Sequence, residues 1–137
     1  NPFNEAINCW NTARVTDMAY MFDNAYNFNQ SLNDWNVASV NDMAQMFYYA
    51  TSFNQPLDDW NVSSVTCMKE MFEGASNFNQ SLNDWNVASV NDMAKKSSTA
   101  TGFIQPRSSS SCSLPTGTRP TTSPTNKQKK QSKKSKK

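Results

Sequence analysis

The chain has 137 residues, of which 36% are hydrophobic and 12% aromatic, enough to build a core. It contains no His and only 3 Gly, which excludes histidine-based nucleophile pairs, histidine metal sites and a glycine-rich phosphate loop. The net charge of +2 hides an asymmetry: residues 1–94 carry all 11 acidic residues against Arg14 and Lys69, a net charge of −9, and the rest of the chain is basic.

A 25-residue repeat organises the first hundred residues. The 18-residue stretch NFNQSLNDWNVASVNDMA occurs at residues 27–44 and again at 77–94, two periods apart. Trp recurs at positions 10, 35, 60 and 85, and Phe at 3, 28, 53, 78 and 103. A fixed period between about 20 and 50 residues is typical of arrays in which each unit stacks on the next. We therefore predict a repeat domain over residues 1–106, with about four units, the first and last incomplete or degraded.

Each unit is predicted to contain a short strand followed by a short helix. In LNDWNVASV, residues 32–40, Trp35 and Val37 are two positions apart and would share one face of a strand. This line resembles the L-x-x-L-x-L of leucine-rich repeats. The next run, VNDMAQMFYYA, spaces its apolar residues every three to four positions, the period of a helix: Val40, Met43, Met46, Phe47 and Ala50. The predicted fold class is an α/β repeat solenoid of leucine-rich-repeat-like coils.

The residues expected to point outward from the strands form rows at one-unit spacing. Their acidic and amide side chains are the candidate partner-binding face: Asp34, Asn36, Asp59, Asn61, Asp84 and Asn86. An alternative is that the Asn side chains only hydrogen-bond along the stack. For the Asp row, a solvated acidic surface is favoured over a catalytic carboxylate pair, so no enzyme activity, metal or cofactor is predicted.

The sequence changes character after residue 94. Lys96 and Ser97 stand where the earlier units have Met and Phe, so the fourth unit is either a polar cap or a damaged or mis-translated end. Residues 107–137 are Ser/Thr/Pro-rich and then Lys-rich, and we predict that they are disordered. The Lys-rich end could bind polyanions through charge, without specific nucleic-acid recognition. No stretch approaches the roughly 18 apolar residues of a membrane span.

The three cysteines, Cys9, Cys67 and Cys112, show no spacing typical of a metal site or redox motif, and they occupy unrelated places in the sequence. A framework of disulfides is therefore not expected.

The recurring pattern W-N-V-x-S-V-x-D-M-x-x-M-F-x-x-A-x-x-F-N-Q-x-L resembles the 25-residue surface-protein repeat of the BspA-like leucine-rich-repeat family, known also from mycoplasma-type lipoproteins. The match covers residues 3–94 closely and 95–106 poorly, with Cys67 in place of the usual Asp and Arg14 in place of Ser. The resemblance implies a cell-surface or secreted, non-enzymatic binding or adhesion module whose partner is an extracellular protein or glycan. The alternatives are a structural spacer or surface-coat element, or an intracellular scaffold with a polyanion-binding tail.

Overall fold

The computed structural model describes residues 2–92, and the following statements refer to these residues. They contain no α-helix and no β-strand. Only four residues form β-bridges, all isolated and parallel, in the series Asp17–Asp42, Asp42–Cys67 and Cys67–Asp92. The predicted α/β repeat solenoid, with a strand and a helix in each unit, is therefore wrong. The degraded end of the fourth unit and the predicted disordered tail lie outside the described residues.

The described residues form a stack of irregular 25-residue units made of turns. Counted from the Phe at its start, unit 1 spans residues 3–27, unit 2 spans 28–52, unit 3 spans 53–77, and unit 4 begins at residue 78. Equivalent residues of neighbouring units, 25 positions apart, lie side by side, as the three bridges show.

The segment predicted to be helical, residues 43–50 of unit 2, is a series of turns. Met46, Tyr48 and Ala50 each donate the backbone N–H to the carbonyl three residues earlier, at 3.2, 3.1 and 3.0 Å. Gln45 and Tyr49 have φ values of 53° and 51°, in the left-handed region, which a right-handed helix does not contain. Positive φ recurs at the equivalent places in units 1 and 3: Tyr20, Asn24, Glu70 and Gly74.

The other amides of this segment bond to the next unit. Alternate residues from Met43 to Tyr49 donate to carbonyls of unit 3 that lie 24 residues later in the chain, at 2.7–2.9 Å. Unit 1 makes the equivalent bonds to unit 2 at 2.8–2.9 Å. Because these amides are divided between turns and the neighbouring unit, the i→i−4 bonds of a helix do not form.

The side chains predicted to face the core are buried, although the backbone that carries them is not the predicted helix. Val40, Met43, Met46, Phe47 and Ala50 all have 0% of their surface exposed. Successive i→i−3 turns return every third or fourth side chain to the inside, as a helix would.

The predicted inward register of the Trp residues is correct in the inner units. Trp35, Trp60 and Trp85 are buried, whereas Trp10 of unit 1 is 51% exposed. Val37 and Val62, two positions after their Trp, are buried as well. An extended W-N-V segment therefore alternates inward and outward side chains without pairing as a regular strand.

Aromatic rings form two columns through the core. One Phe ring in each of units 1, 2 and 3 stacks at a centroid distance of 4.2 Å on the Phe ring that opens the next unit, so the two columns contact each other. Between units, the rings of the first column are 5.5–6.0 Å apart and those of the second 5.3–5.4 Å apart. The columns are Phe3, Phe28, Phe53 and Phe78, and Phe22, Phe47 and Phe72.

Cys67 interrupts a capping interaction that the other units use. In units 1 and 2, Oδ1 of Asp17 and of Asp42 accepts a 2.8 Å hydrogen bond from the backbone N–H two residues later. Cys67 occupies the same position in unit 3, where it is buried, whereas Cys9 is free and exposed.

Candidate functional site

The predicted partner-binding face lies at the surface of the stack. All six residues are exposed, and they alternate with Trp and Val residues that are buried, except for the partly buried Val87 of unit 4: Asp34, Asn36, Asp59, Asn61, Asp84 and Asn86. The three Asp residues form a row with one carboxylate in each unit, which we call the acidic row.

The Asn residues of this face hold turns in their own units. Oδ1 of Asn36 accepts the backbone N–H of Ala38 at 3.1 Å, and Oδ1 of Asn86 accepts the equivalent bond at 3.2 Å. Oδ1 of Asn61 accepts both the N–H and the hydroxyl of Ser63, at 3.2 and 2.7 Å. These oxygens close Asx turns, so the alternative expectation of bonds along the stack does not describe them. The carboxylates remain the better candidates for contact with a partner.

Asp59 is the member of the acidic row that contacts the neighbouring unit. Its Oδ2 accepts a hydrogen bond from the side-chain amide of Asn33 at 2.9 Å, and its N–H donates to Asn33 Oδ1 at 3.1 Å. The equivalent Asp34 and Asp84 are exposed. In the acidic row, the Asp59 carboxylate is therefore held by a hydrogen bond to the neighbouring unit, and Asp34 and Asp84 lie in the units on either side of it.

The Asn side chains that repeat a hydrogen bond from unit to unit along the stack are those of the F-N-Q motif. Asn29 Oδ1 accepts the backbone N–H of Asn54 at 2.9 Å and the side-chain amide of Gln55 at 3.1 Å. The same bonds link units 1 to 2 and 3 to 4. We call this set the amide ladder: Asn4, Asn29, Asn54, Gln30, Gln55 and Gln80. The recurrence of F-N-Q was visible in the sequence, but nothing in it distinguished this Asn from the Asn after each Trp.

A second surface, which the sequence analysis missed, gathers all four tyrosines of the chain. Tyr20, Tyr26 and Tyr49 are 59%, 44% and 42% exposed. Tyr48 is half-buried, and its ring meets that of Tyr49 edge-on at a centroid distance of 4.7 Å. We call these four residues the tyrosine edge. They occupy or closely follow the turn segments of units 1 and 2, and they lack a 25-residue period, so the repeat gives no indication of them.

Carboxylates surround the tyrosine edge. Asp23 lies at the repeat position of Tyr48 in unit 1, and Glu73 lies there in unit 3. Asp23 Oδ1 accepts a 2.7 Å hydrogen bond from the side-chain amide of Asn24, whose own oxygen accepts the Tyr26 hydroxyl at 2.8 Å. In the neighbouring units, the side-chain amide of Gln45 donates to Glu70.

These carboxylates affect the ionisation of Tyr48. Loss of solvation raises the pKa of the Tyr48 phenol, and electrostatic repulsion from the neighbouring Tyr49, Glu70, Glu73 and Asp23 raises this pKa further. The tyrosine edge is thus an aromatic surface with a negative electrostatic environment.

Within residues 2–92, every buried side-chain nitrogen or oxygen atom has a hydrogen-bond partner. In the same part of the chain, no three Cys, Asp or Glu side chains are grouped so that they could hold a metal ion. A helix long and apolar enough to cross a membrane is not found in this range either.

The fold and surfaces define a repeat protein in which stacked 25-residue units of turns expose acidic and aromatic side chains. A family model described as "Mycoplasma protein of unknown function, DUF285" matches residues 1–110, and the chain belongs to this family. No curated protein and no solved structure matches the sequence.

Proposed function

We propose that the chain is a non-enzymatic binding or adhesion module of a cell-surface or secreted protein, related to the BspA-like surface repeats. The observation that carries the proposal is the acidic row: Asp34, Asp59 and Asp84 expose one carboxylate per unit on the same face of the stack. The apolar side chains between them are buried in the core, so the carboxylates are the groups that a partner would meet.

A row of like charges suits a partner that also repeats its contacts. A carboxylate at the protein surface contributes little by itself, but several that are engaged together add avidity and accelerate association with a cationic surface. The proposed partners are therefore a basic patch on an extracellular protein or a glycan bridged by a divalent cation. A longer array would bind more tightly, since each unit adds one contact.

The test compares two variants of the full chain that carry the same change in charge. The row variant is Asp34→Asn, Asp59→Asn and Asp84→Asn. The matched control changes three carboxylates near the tyrosine edge: Asp23→Asn, Glu70→Gln and Glu73→Gln. Binding to immobilised basic proteins, and to a glycan array with and without Ca²⁺, is measured at about 0.15 M salt, where the screening length is about 8 Å.

We expect the row variant to lose binding to one of these two probe classes while the control keeps it and both retain the wild-type circular-dichroism spectrum. Equal binding by wild type and row variant on both probe classes would contradict the proposal. If attachment to intact cells survived the row variant but depended on the number of units, the array would act as a spacer instead.

A further inference from the structure

The tyrosine edge is an exposed aromatic surface that the acidic row does not explain. Elsewhere in the inner units, large apolar side chains are buried, and the rings of the Phe columns have almost no exposed area. On this edge, three of the four tyrosines are at least 42% exposed, and Met21 beside Tyr20 is 39% exposed. Apart from Trp10 of unit 1, which is 51% exposed, the strongly exposed aromatic side chains of residues 2–92 all belong to this edge, and such a concentration is typical of an interaction surface.

The charges around this edge select a cationic partner. Asp23, Glu70 and Glu73 add negative charge beside the rings, and Lys69 is the one basic side chain in the turn segments of the described units. Aromatic faces attract ammonium and guanidinium groups, and a nearby carboxylate strengthens that attraction.

We propose that the tyrosine edge binds the chain's own Lys-rich C-terminal segment, residues 127–137, in an intramolecular contact. This segment, KQKKQSKKSKK, carries seven Lys and no acidic residue and lies outside the described residues. Its lysines place their ammonium groups against the faces of Tyr20, Tyr48 and Tyr49 and pair with the surrounding carboxylates.

The charge distribution and the length of the connecting chain both favour the Lys-rich segment as the group that binds the tyrosine edge. All 11 acidic residues precede residue 95, and none of the seven C-terminal lysines has an acidic neighbour in its own segment. Residues 93–126 connect the described stack to this segment. The last 20 residues of this connection, 107–126, belong to the segment predicted to be disordered, and a flexible chain of that length has a root-mean-square span of about 22–27 Å, comparable with the dimensions of a stack of a few units.

The aromatic rings distinguish this edge from the acidic row. Both surfaces carry three carboxylates, but the aromatic neighbours of the row, Trp35, Trp60 and Trp85, are buried in the core. Charge alone would allow the Lys-rich segment to visit both surfaces. Cation–π contacts, which the acidic row does not offer, favour the edge when several form together.

The first measurement uses the full chain with isotope-labelled tyrosine rings. Because the chain's 4 Tyr all belong to the edge, every labelled signal reports on it. The wild type is compared with a tail variant in which the lysines of residues 127–137 are replaced by Gln. We expect ring signals to differ between the two at about 0.02 M salt and to converge at about 0.5 M, as the screening length falls from about 20 to about 4 Å.

The second measurement locates the contact by zero-length carbodiimide cross-linking of lysines to carboxylates, read by mass spectrometry. We expect tail lysines to join Asp23, Glu70 and Glu73 in preference to the acidic row. Tyr20→Ala with Tyr49→Ala should lower these cross-links several-fold, because two of the cation–π contacts are lost. The row variant should leave the tyrosine signals unchanged, although it removes the same charge as the variant with Asp23→Asn, Glu70→Gln and Glu73→Gln.

Three outcomes would overturn the proposal. One is a set of tyrosine signals that does not respond to the tail variant at low salt. Another is an equal distribution of cross-links between edge and row. The third is cross-linking mainly between isotopically light and heavy chains in a mixture, which would make the contact intermolecular. The measurements contain no external partner, so their failure is distinguishable from failure of the proposed binding function.

Discussion

The indole N–H of Trp60 donates a 2.8 Å hydrogen bond to the backbone carbonyl oxygen of Leu32 in the preceding unit. The same bond joins Trp35 to Ile7 at 3.0 Å and Trp85 to Leu57 at 2.9 Å. Each of these Trp residues therefore fills the core with its ring and joins two units with its nitrogen. A buried indole N–H needs such a partner, which explains why the hydrogen bond recurs with the residue.

Replacing Trp60 by Ala should lower the free energy of unfolding by about 3–5 kcal/mol, as expected for a large buried side chain in a central unit. Urea melts of the full chain measure the loss. Trp10→Ala is the matched control, because Trp10 is 51% exposed, and it should cost well under half as much. A loss below about 1 kcal/mol for Trp60→Ala would be inconsistent with a buried side chain.

Trp60→Phe separates the hydrogen bond from the packing of the ring. The variant keeps an aromatic ring but removes the indole donor, while the Leu32 carbonyl still accepts the Trp35 backbone N–H at 3.0 Å, so the lost hydrogen bond should cost about 0.5–1.5 kcal/mol. We expect its stability to fall between those of the wild type and the Ala variant.

The amide ladder predicts a different effect for two exposed Asn residues. Asn54 Oδ1 accepts bonds from the Asn79 N–H at 2.9 Å and from the Gln80 side chain at 3.0 Å, so Asn54→Ala should cost about 1 kcal/mol. Asn77 is also exposed and belongs to no ladder, and Asn77→Ala should change stability by less than about 0.5 kcal/mol. Thermal or urea unfolding compares the two, and equal losses would show that the ladder contributes nothing to stability.

Gly74 should be intolerant of a side chain for two separable reasons. Its φ is 72°, and an added Cβ would lie 2.7 Å from Cδ1 of the Tyr49 ring. Gly74→Ala should therefore cost about 1–2 kcal/mol from backbone strain, plus the displacement of the ring. In a double-mutant cycle with Tyr49→Ala, the ring contribution should disappear while the backbone contribution stays. A coupling energy near zero would show that the exposed ring moves aside at no cost.

The raised pKa of Tyr48 predicts how stability changes in alkaline solution. Desolvation, the first cause, and the neighbouring negative charges disfavour the ionised phenol in the folded state. The unfolded chain then releases this proton at a lower pH than the folded chain. The contribution is fully present below the unfolded tyrosine pKa of about 10 and is lost as pH rises through the folded pKa.

Tyr48→Phe removes this pH dependence and therefore tests it. Above a pH of about 10, the wild type should lose stability more steeply than Tyr48→Phe, and below about 9 the two curves should run parallel. Tyr20→Phe controls for the loss of a phenol elsewhere on the edge. Parallel curves for wild type and Tyr48→Phe throughout the alkaline range would contradict the prediction.

The sequence was sufficient to predict which side chains are buried, but it did not predict the backbone that buries them. The spacing of Val40, Met43, Met46 and Ala50 indicates only how often a side chain returns to one side. A chain of i→i−3 turns and a helix share that spacing, so the pattern could not distinguish them. Stacking decides between them, because it offers the amides of residues 43–49 acceptors in the next unit.

The left-handed residues had the weakest sequence signal. Asn24 and Gly74 are residue types that accept positive φ, but Tyr20, Gln45, Tyr49 and Glu70 are not typical of it. Their conformation is imposed by bonds to the neighbouring units, which no local propensity reports. The exposure of the predicted partner-binding face could be inferred from the sequence, because its residues alternate with Trp and Val. The tyrosine edge has no periodic pattern, so only the three-dimensional structure identifies it.

The bonds between units connect residues only 23 to 28 positions apart, from the Asn41–Ser64 contact to the Trp–Leu contacts. This separation does not increase when units are added. The average length of chain that must close into a loop during folding therefore stays constant as the array lengthens. Under tension applied to its two ends, such an array would lose one terminal unit at a time, each release lengthening the chain by the extension of about 25 residues. The protein would then extend in steps under load, with the remaining units still folded behind the one that opened.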